Sequence, residues 1–202
     1  MLERFLASFP ITSGTPRAIG SAVTVAGLAG SYGGCAFGDG IYRIHTATSA
    51  SEADSMVAAA FPEYTSRIRC FGFDWLGRQF ATDSARGLEA DFEILMFEPG
   101  SGEVLQIPVA LSEFHDREVV DFPDAVLARE FYRAWTASGG AEPTFGECIG
   151  YRVPLFLGGE DAVPNLELTE TDVYWTVMGQ LRLRAMNLPP GTPIREVQID
   201  GD

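Results

Sequence analysis

The stretch from Ile68 to Val109 constrains this chain most, because it reads as two β-hairpins in direct succession. Ile68 to Phe73 is strand sequence, Asp74-Trp75-Leu76-Gly77 is a turn, and Arg78 to Thr82 returns. Gly77 supplies the positive φ that a tight turn needs and that a side chain resists. Phe92 to Phe97 and Glu103 to Val109 form the second hairpin across Glu98-Pro99-Gly100-Ser101-Gly102, a connection with two glycines. The tight turn Gly38-Asp39-Gly40 leads into a further strand, Ile41-Tyr42-Arg43-Ile44. Together these segments predict a twisted antiparallel sheet of about five or six strands.

Helical patterns flank that sheet. Residues 1–8 read as a short amphipathic helix ending before Pro10, and residues 50–60 as an Ala-rich helix stopped by Phe61-Pro62. Between Ala18 and Ser31 the apolar residues fit either period, but the Tyr32-Gly33-Gly34 that follows has the form of a helix C-cap, and the segment is read as helix. A short helix is expected from Leu111 to Val119. A longer one is expected from Asp124 to Trp135, with Val126, Leu127, Phe131 and Trp135 on one face. Pro154 makes Val153-Pro154-Leu155-Phe156-Leu157 an edge strand or a buried loop. Thr169 reads as the N-cap of the last helix, with Asp172 three residues on. That helix runs to Met186, Pro189-Pro190 stop it, and Ile194 to Ile199 alternates like a closing strand. Helices segregated from hairpins define an α+β fold, expected as a single compact unit.

At 202 residues the chain can bury about 70% of its unfolded surface without disulfides or metal. Its charge is one-sided. Residues 1–86 carry seven acids and seven arginines, whereas residues 87–202 carry 21 acids and seven arginines, a surplus equal to the whole net charge of −14. Such a field disfavours nucleic acid and anionic membranes and favours salt-sensitive capture of a cationic partner, while also serving solubility. No lysine is present, so no amine nucleophile is available. Cys35, Cys70 and Cys148 are far apart and odd in number, which suits a reducing cytoplasm and makes neither a disulfide framework nor a metal site. The N-terminus lacks the pattern of a signal peptide, and no stretch approaches a membrane span.

Catalytic patterns are missing. His45 and His115 have no second ligand at metal spacing; His45 is expected to be capping or buried and hydrogen-bonded, and His115, beside Glu113 and Asp116, to be a solvated helix position. No phosphate-cradling loop and no Gly-x-Ser-x-Gly elbow occurs. Clustered acids such as Glu89, Asp91 and Glu93 are expected on solvated turns and helix ends. Asp74 and Arg78 read as an ion pair fixing the hairpin turn. No catalytic residue, cofactor or metal is assigned.

Three stretches carry a family resemblance: Phe71 to Ala81, Leu95 to Glu103, and Cys148-Ile149-Gly150-Tyr151-Arg152-Val153-Pro154-Leu155-Phe156-Leu157-Gly158-Gly159. With Asp172-Val173-Tyr174-Trp175 and Gly179-Gln180-Leu181, they resemble the bacterial immunity proteins paired with type VI secretion DNase toxins. Tyr32-Gly33-Gly34 and Asp39-Gly40-Ile41-Tyr42-Arg43 are similar to the GAD-like segment that precedes the C-terminal domain in that family. The resemblance implies a GAD-like segment over residues 1–65 and an immunity-protein C-terminal domain over 66–202, packed as one unit. It also implies a non-enzymatic cytoplasmic protein that binds and neutralises a cognate toxin, a cationic nuclease. Inhibitory contacts are then expected from the acidic half, at Glu89, Asp91, Glu113, Asp116, Glu118, Asp121, Glu160 and Asp161, since a nuclease must present a basic groove to DNA. The alternative is a non-catalytic interaction module of a defence or regulatory assembly without a nuclease partner. Nucleic acid, membrane and small-molecule partners are not expected.

Overall fold

The computed structural model describes residues 2–17, 24–86 and 93–186. The expected strand from Ile194 to Ile199, the Pro189-Pro190 stop, the first part of the helix read from Ala18, and the candidate residues Glu89 and Asp91 lie outside the described residues.

Seven strands form one antiparallel sheet whose spatial order is the order of the sequence: β1 (Ile11–Ser13), β2 (Ala36–Phe37), β3 (Tyr42–Ile44), β4 (Ile68–Asp74), β5 (Gln79–Asp83), β6 (Glu93–Glu98) and β7 (Glu103–Ala110). Both expected hairpins are present, as β4–β5 and β6–β7. The sheet is larger than the expected five or six strands because the short β1 and β2 extend it beyond β3. Pairing of Arg43 with Phe73 carries the ladder from the first 65 residues into the rest of the chain. A separate two-stranded sheet joins β8 (Glu147–Tyr151) to β9 (Leu166–Glu170).

Successive residues of the central strands feed opposite cores. On β6, Ile94 and Met96 face one cluster while Leu95 and Phe97 face the other, as a period of two requires. Both faces are covered, so these strands read as continuous apolar runs rather than alternating ones. One face packs against α1 (Glu3–Ser8), α5 (Pro123–Leu127) and α6 (Arg129–Ala137), with Phe5, Phe71, Trp75, Phe80 and Phe114 at its centre. The other packs against α3 (Ala47–Ala60) and α7 (Thr171–Met186) through Val57, Phe61, Phe97 and Trp175. The short α2 (Val25–Tyr32) begins with Thr24, whose hydroxyl accepts the Gly27 amide, and buries Leu28.

One helical expectation is refined and two are corrected. The segment from Leu111 opens as a single turn, α4 (Leu111–Glu113), and continues as a π-helical turn from Phe114 to Val119. The wider turn lets the consecutive Phe114 and His115 both enter the core, where a regular helix would turn them apart. The helix expected from Asp124 to Trp135 is broken at Ala128, which adopts the left-handed conformation at φ 47° and ψ 48°. Asp124 Oδ1 accepts the Glu130 amide of α6, and the carbonyls released at the end of α5 are taken by the core: Trp75 Nε1 donates to Leu127 and Arg78 Nη2 to Val126. The last helix starts at Thr171, because Thr169 is paired with Cys148 in the β8–β9 ladder and is held extended. The Val153–Leu157 segment is no strand: Leu155–Leu157 is a 3-10 turn.

Candidate functional site

The acidic candidates from Glu113 to Asp121 fall on one ridge, the π-helical turn and its flanks. Arg4 of α1 draws two of them together, its Nη1 donating to the Asp116 carbonyl at 2.9 Å and its Nη2 to Asp121 Oδ1 at 2.6 Å. Asp116 Oδ1 accepts the Phe5 amide at 3.0 Å, so this carboxylate helps fasten α1 to the ridge. The Arg4 hydrogen bond holds the Asp121 carboxyl below the usual carboxylate range. Glu113 pairs with Arg117 one turn on, at 3.1 Å. Glu118 is half-buried beside them. The ridge is acidic, but two of its carboxylates are matched by arginines at the surface, where solvent screens such pairs and they add little stability.

Glu160 and Asp161 lie elsewhere, in the β8–β9 connection. Asp161 accepts the Tyr151 hydroxyl at 2.6 Å, and the Glu160 carbonyl accepts Asn165 Nδ2 at 2.9 Å. Behind Tyr151 sits a buried charge cluster. Asp74 Oδ1 accepts the Leu76 and Arg78 amides, each at 3.0 Å, and its Oδ2 takes Arg78 Nε at 2.7 Å. The turn-fixing pair read from the sequence is therefore present, and it is buried rather than superficial. Glu98 joins it, 3.6 Å from Arg78 Nε, while accepting the Gly100 amide at 3.1 Å. Burial, reinforced by the charge of Asp74 and opposed by Arg78, pushes Glu98 up to about 7.

A groove of about 730 Å³ opens between α3 and α7. The helices touch where Ala60 meets Gly179: a Cβ at Gly179 would stand 2.8 Å from that of Ala60. Arg182 locks the contact, its Nη1 donating to the Ala60 carbonyl at 2.8 Å with its guanidinium 3.9 Å from the Phe61 ring centre. Away from that contact the sheet supplies the floor through His45, Phe73 and Gln79, with Trp175 of α7 alongside. The rim carries Glu52, Glu170 and Asp172, and no arginine lines the groove among the described residues.

His45 is buried, as expected. Its Nε2 lies 2.8 Å from Gln79 Oε1 and its Nδ1 3.0 Å from Ser49 Oγ. An acceptor at Nε2 places the proton there, so neutral Nδ1 accepts from the Ser49 hydroxyl. Burial lowers the ring to about 4, in keeping with the neutral form. A serine hydrogen-bonded to a histidine has the outline of an activated nucleophile, but Ser49 Oγ also accepts the Thr46 amide at 3.0 Å in the capping box that starts α3. Its geometry is committed to the helix start.

His115 is the clearest correction. In place of a solvated position it occupies the core at 2% exposure, with Nε2 3.0 Å from Tyr42 Oη and burial lowering it to about 3. Sequence reasoning also passed over Glu98 and the groove. Glu98 stands at the mouth of a Pro-Gly turn, where an acid ordinarily faces water, and the groove is assembled from four segments far apart in the chain.

No helix among the described residues is long and apolar enough to cross a membrane. The architecture defines a class: the fold is shared with the crystal structure of Atu4351 from Agrobacterium tumefaciens, with a TM-score of 0.57 and 17% identity over 89% of each chain. No curated protein sequence matches. Residues 114–182, from the π-helical turn to the middle of α7, match the family described as T6SS immunity protein Tdi1, C-terminal. The resemblance to type VI secretion immunity proteins thus has an independent match over residues 114–182, which take in most of the ridge, the β8–β9 sheet and much of α7.

Proposed function

We propose that this protein neutralises a cognate type VI-secreted toxin, a DNase with a cationic DNA-binding face, by binding it in the cytoplasm of the producing cell. The observation that carries this reading is the match of residues 114–182 to the immunity-protein family. The charge supports it: five acids between Glu113 and Asp124 stand against Arg117 and Arg4 in a chain of net charge −14. An acidic inhibitor is drawn to a basic nuclease at an electrostatically enhanced rate, and its charge imitates the polyanion that the nuclease binds. Neutralisation of this kind is non-catalytic, requiring a durable complex and no cofactor. We further propose that residues 1–65 and 66–202 act as one body, since their strands share a ladder at β3 and β4.

The test is co-purification with the product of the adjacent upstream gene, followed by DNA degradation with and without this protein. A stable complex and loss of nuclease activity are expected. A complex that leaves nuclease activity intact overturns the DNase reading, and absence of a complex overturns the immunity reading. Raising salt should slow association steeply; an on-rate indifferent to salt removes the electrostatic mechanism.

A further inference from the structure

We infer that the groove between α3 and α7 is the socket for a basic segment of the toxin, one that inserts an arginine or lysine side chain flanked by apolar residues. The inference rests on the immunity reading and assigns it a place that differs from the acidic ridge. Three features select this occupant. The floor is apolar and aromatic, built by Phe73, Trp175, Met56 and Ala53, and suits the stem of a long side chain. The rim holds Glu52, Glu170 and Asp172 with no arginine among the described lining residues, so charge complementarity calls for a cation. By contrast, Asp121 and Glu113 on the ridge are matched by Arg4 and Arg117. Gln180, in the wall, has its Oε1 buried without a hydrogen-bond partner among the described residues. A buried acceptor left unpaired is costly, and rotation of that amide toward an incoming N–H donor removes the cost.

The socket also has a firm frame. Gly179 against Ala60 and Arg182 on the Ala60 carbonyl fix the separation of the helices at one end, and Trp175 Nε1 donates to the Gly77 carbonyl at 2.8 Å, tying α7 to the β4–β5 turn. An anchor side chain entering a preformed pocket is the arrangement that concentrates binding energy at protein interfaces. The groove is large for one side chain, so the flanking residues of the segment occupy the remainder.

The experiment compares purified full-length wild type with two groove variants, and with Glu113→Gln on the ridge as a control, for binding to the product of the adjacent upstream gene. Thr176→Trp fills the groove from an exposed position on α7, and the double variant Glu52→Gln/Glu170→Gln removes rim charge at exposed positions. Thr176→Trp is expected to weaken binding at least about tenfold. The rim variant should weaken it by several-fold and flatten its salt dependence, with Glu113→Gln having less effect. Amide exchange on the wild-type complex is expected to show protection in residues 49–59 and 170–183. Wild-type binding with full affinity retained by both variants, or protection confined to residues 113–124, overturns the socket while leaving the immunity reading intact. Absence of wild-type binding overturns both. Because the rim variant and the exchange experiment do not depend on accommodating a tryptophan, a poorly folded Thr176→Trp leaves the question decidable.

Discussion

Tyr42 Oη and His115 Nε2 stand 3.0 Å apart in the aromatic core, so that β3 and the π-helical turn hold each other through a single buried hydrogen bond. The ring of Phe5 packs edge-on against both of them, at 5.8 and 5.2 Å between ring centres. The start of the family-matching segment is thereby fastened to the N-terminal third of the chain.

Tyr42→Phe tests that fastening. The variant leaves a buried imidazole nitrogen without its partner, and the expected loss is about 1–3 kcal/mol. Urea denaturation should show a lower midpoint with an unchanged slope. A midpoint within experimental scatter of wild type would mean that the histidine finds another partner.

Glu98 makes stability depend on pH near neutrality. Its folded value is raised to about 7, above that of an unfolded glutamate, so its contribution is complete below about 4.5 and is lost as pH rises through 7. Between pH 6.5 and 8.5 the wild type should lose about 1 kcal/mol from this group, and Glu98→Gln should flatten the slope. His45 and His115 act with the opposite sign. Their folded values are depressed to about 4 and about 3, so their contribution is present above about 6.5 and is lost as pH falls through those values. Acid should therefore unfold both proteins, and the difference between them is read on the alkaline side.

Ala128 holds a left-handed conformation at the break between α5 and α6, where a Cβ is unfavourable. Ala128→Gly should raise stability by up to about 1 kcal/mol, seen as a higher thermal midpoint. A lower midpoint would show that the Ala128 methyl, which packs against the core, contributes more than the relief of backbone strain.

Gly179 permits the close approach of α7 to α3. Gly179→Val should force the helices apart and cost about 1–3 kcal/mol despite valine's better helix propensity. If the midpoint is unchanged, the α3–α7 contact yields without loss and cannot be what spaces the groove.

The hairpins were legible because their turns are chemically explicit: Gly77 and the Pro99-Gly100 pair admit few alternatives, and strand residues covered on both faces leave long apolar runs. The break at Ala128 was not, since alanine is the best helix former and its φ is dictated by Asp124 reaching Glu130 and by Trp75 and Arg78 taking the freed carbonyls. His115 was misleading because Glu113 and Asp116 surround it in sequence with the signature of a wet surface, while the π-helical turn rotates it inward. Asp74 with Arg78 was read as a pair from its spacing, but its burial and its third member, Glu98, come from a hairpin two strands along. The acidic ridge was visible as composition. Its partial neutralisation by Arg4 was not, because that arginine lies 117 residues from Asp121.

The strand order from β1 to β7 follows the chain without a crossover. During synthesis each strand therefore emerges beside a neighbour that is already in place, and the sheet can grow by zipping rather than by searching for distant partners. The helix that closes the second face, α7, comes after all of these strands. Until then that flank of the sheet, with Phe97, Leu95 and Ala81, is covered only by α3 and the Phe61–Tyr64 segment. A nascent chain interrupted before Thr171 has a finished ladder but a half-covered greasy side and half a groove, which makes it a client for chaperones and unable to grip anything between α3 and α7.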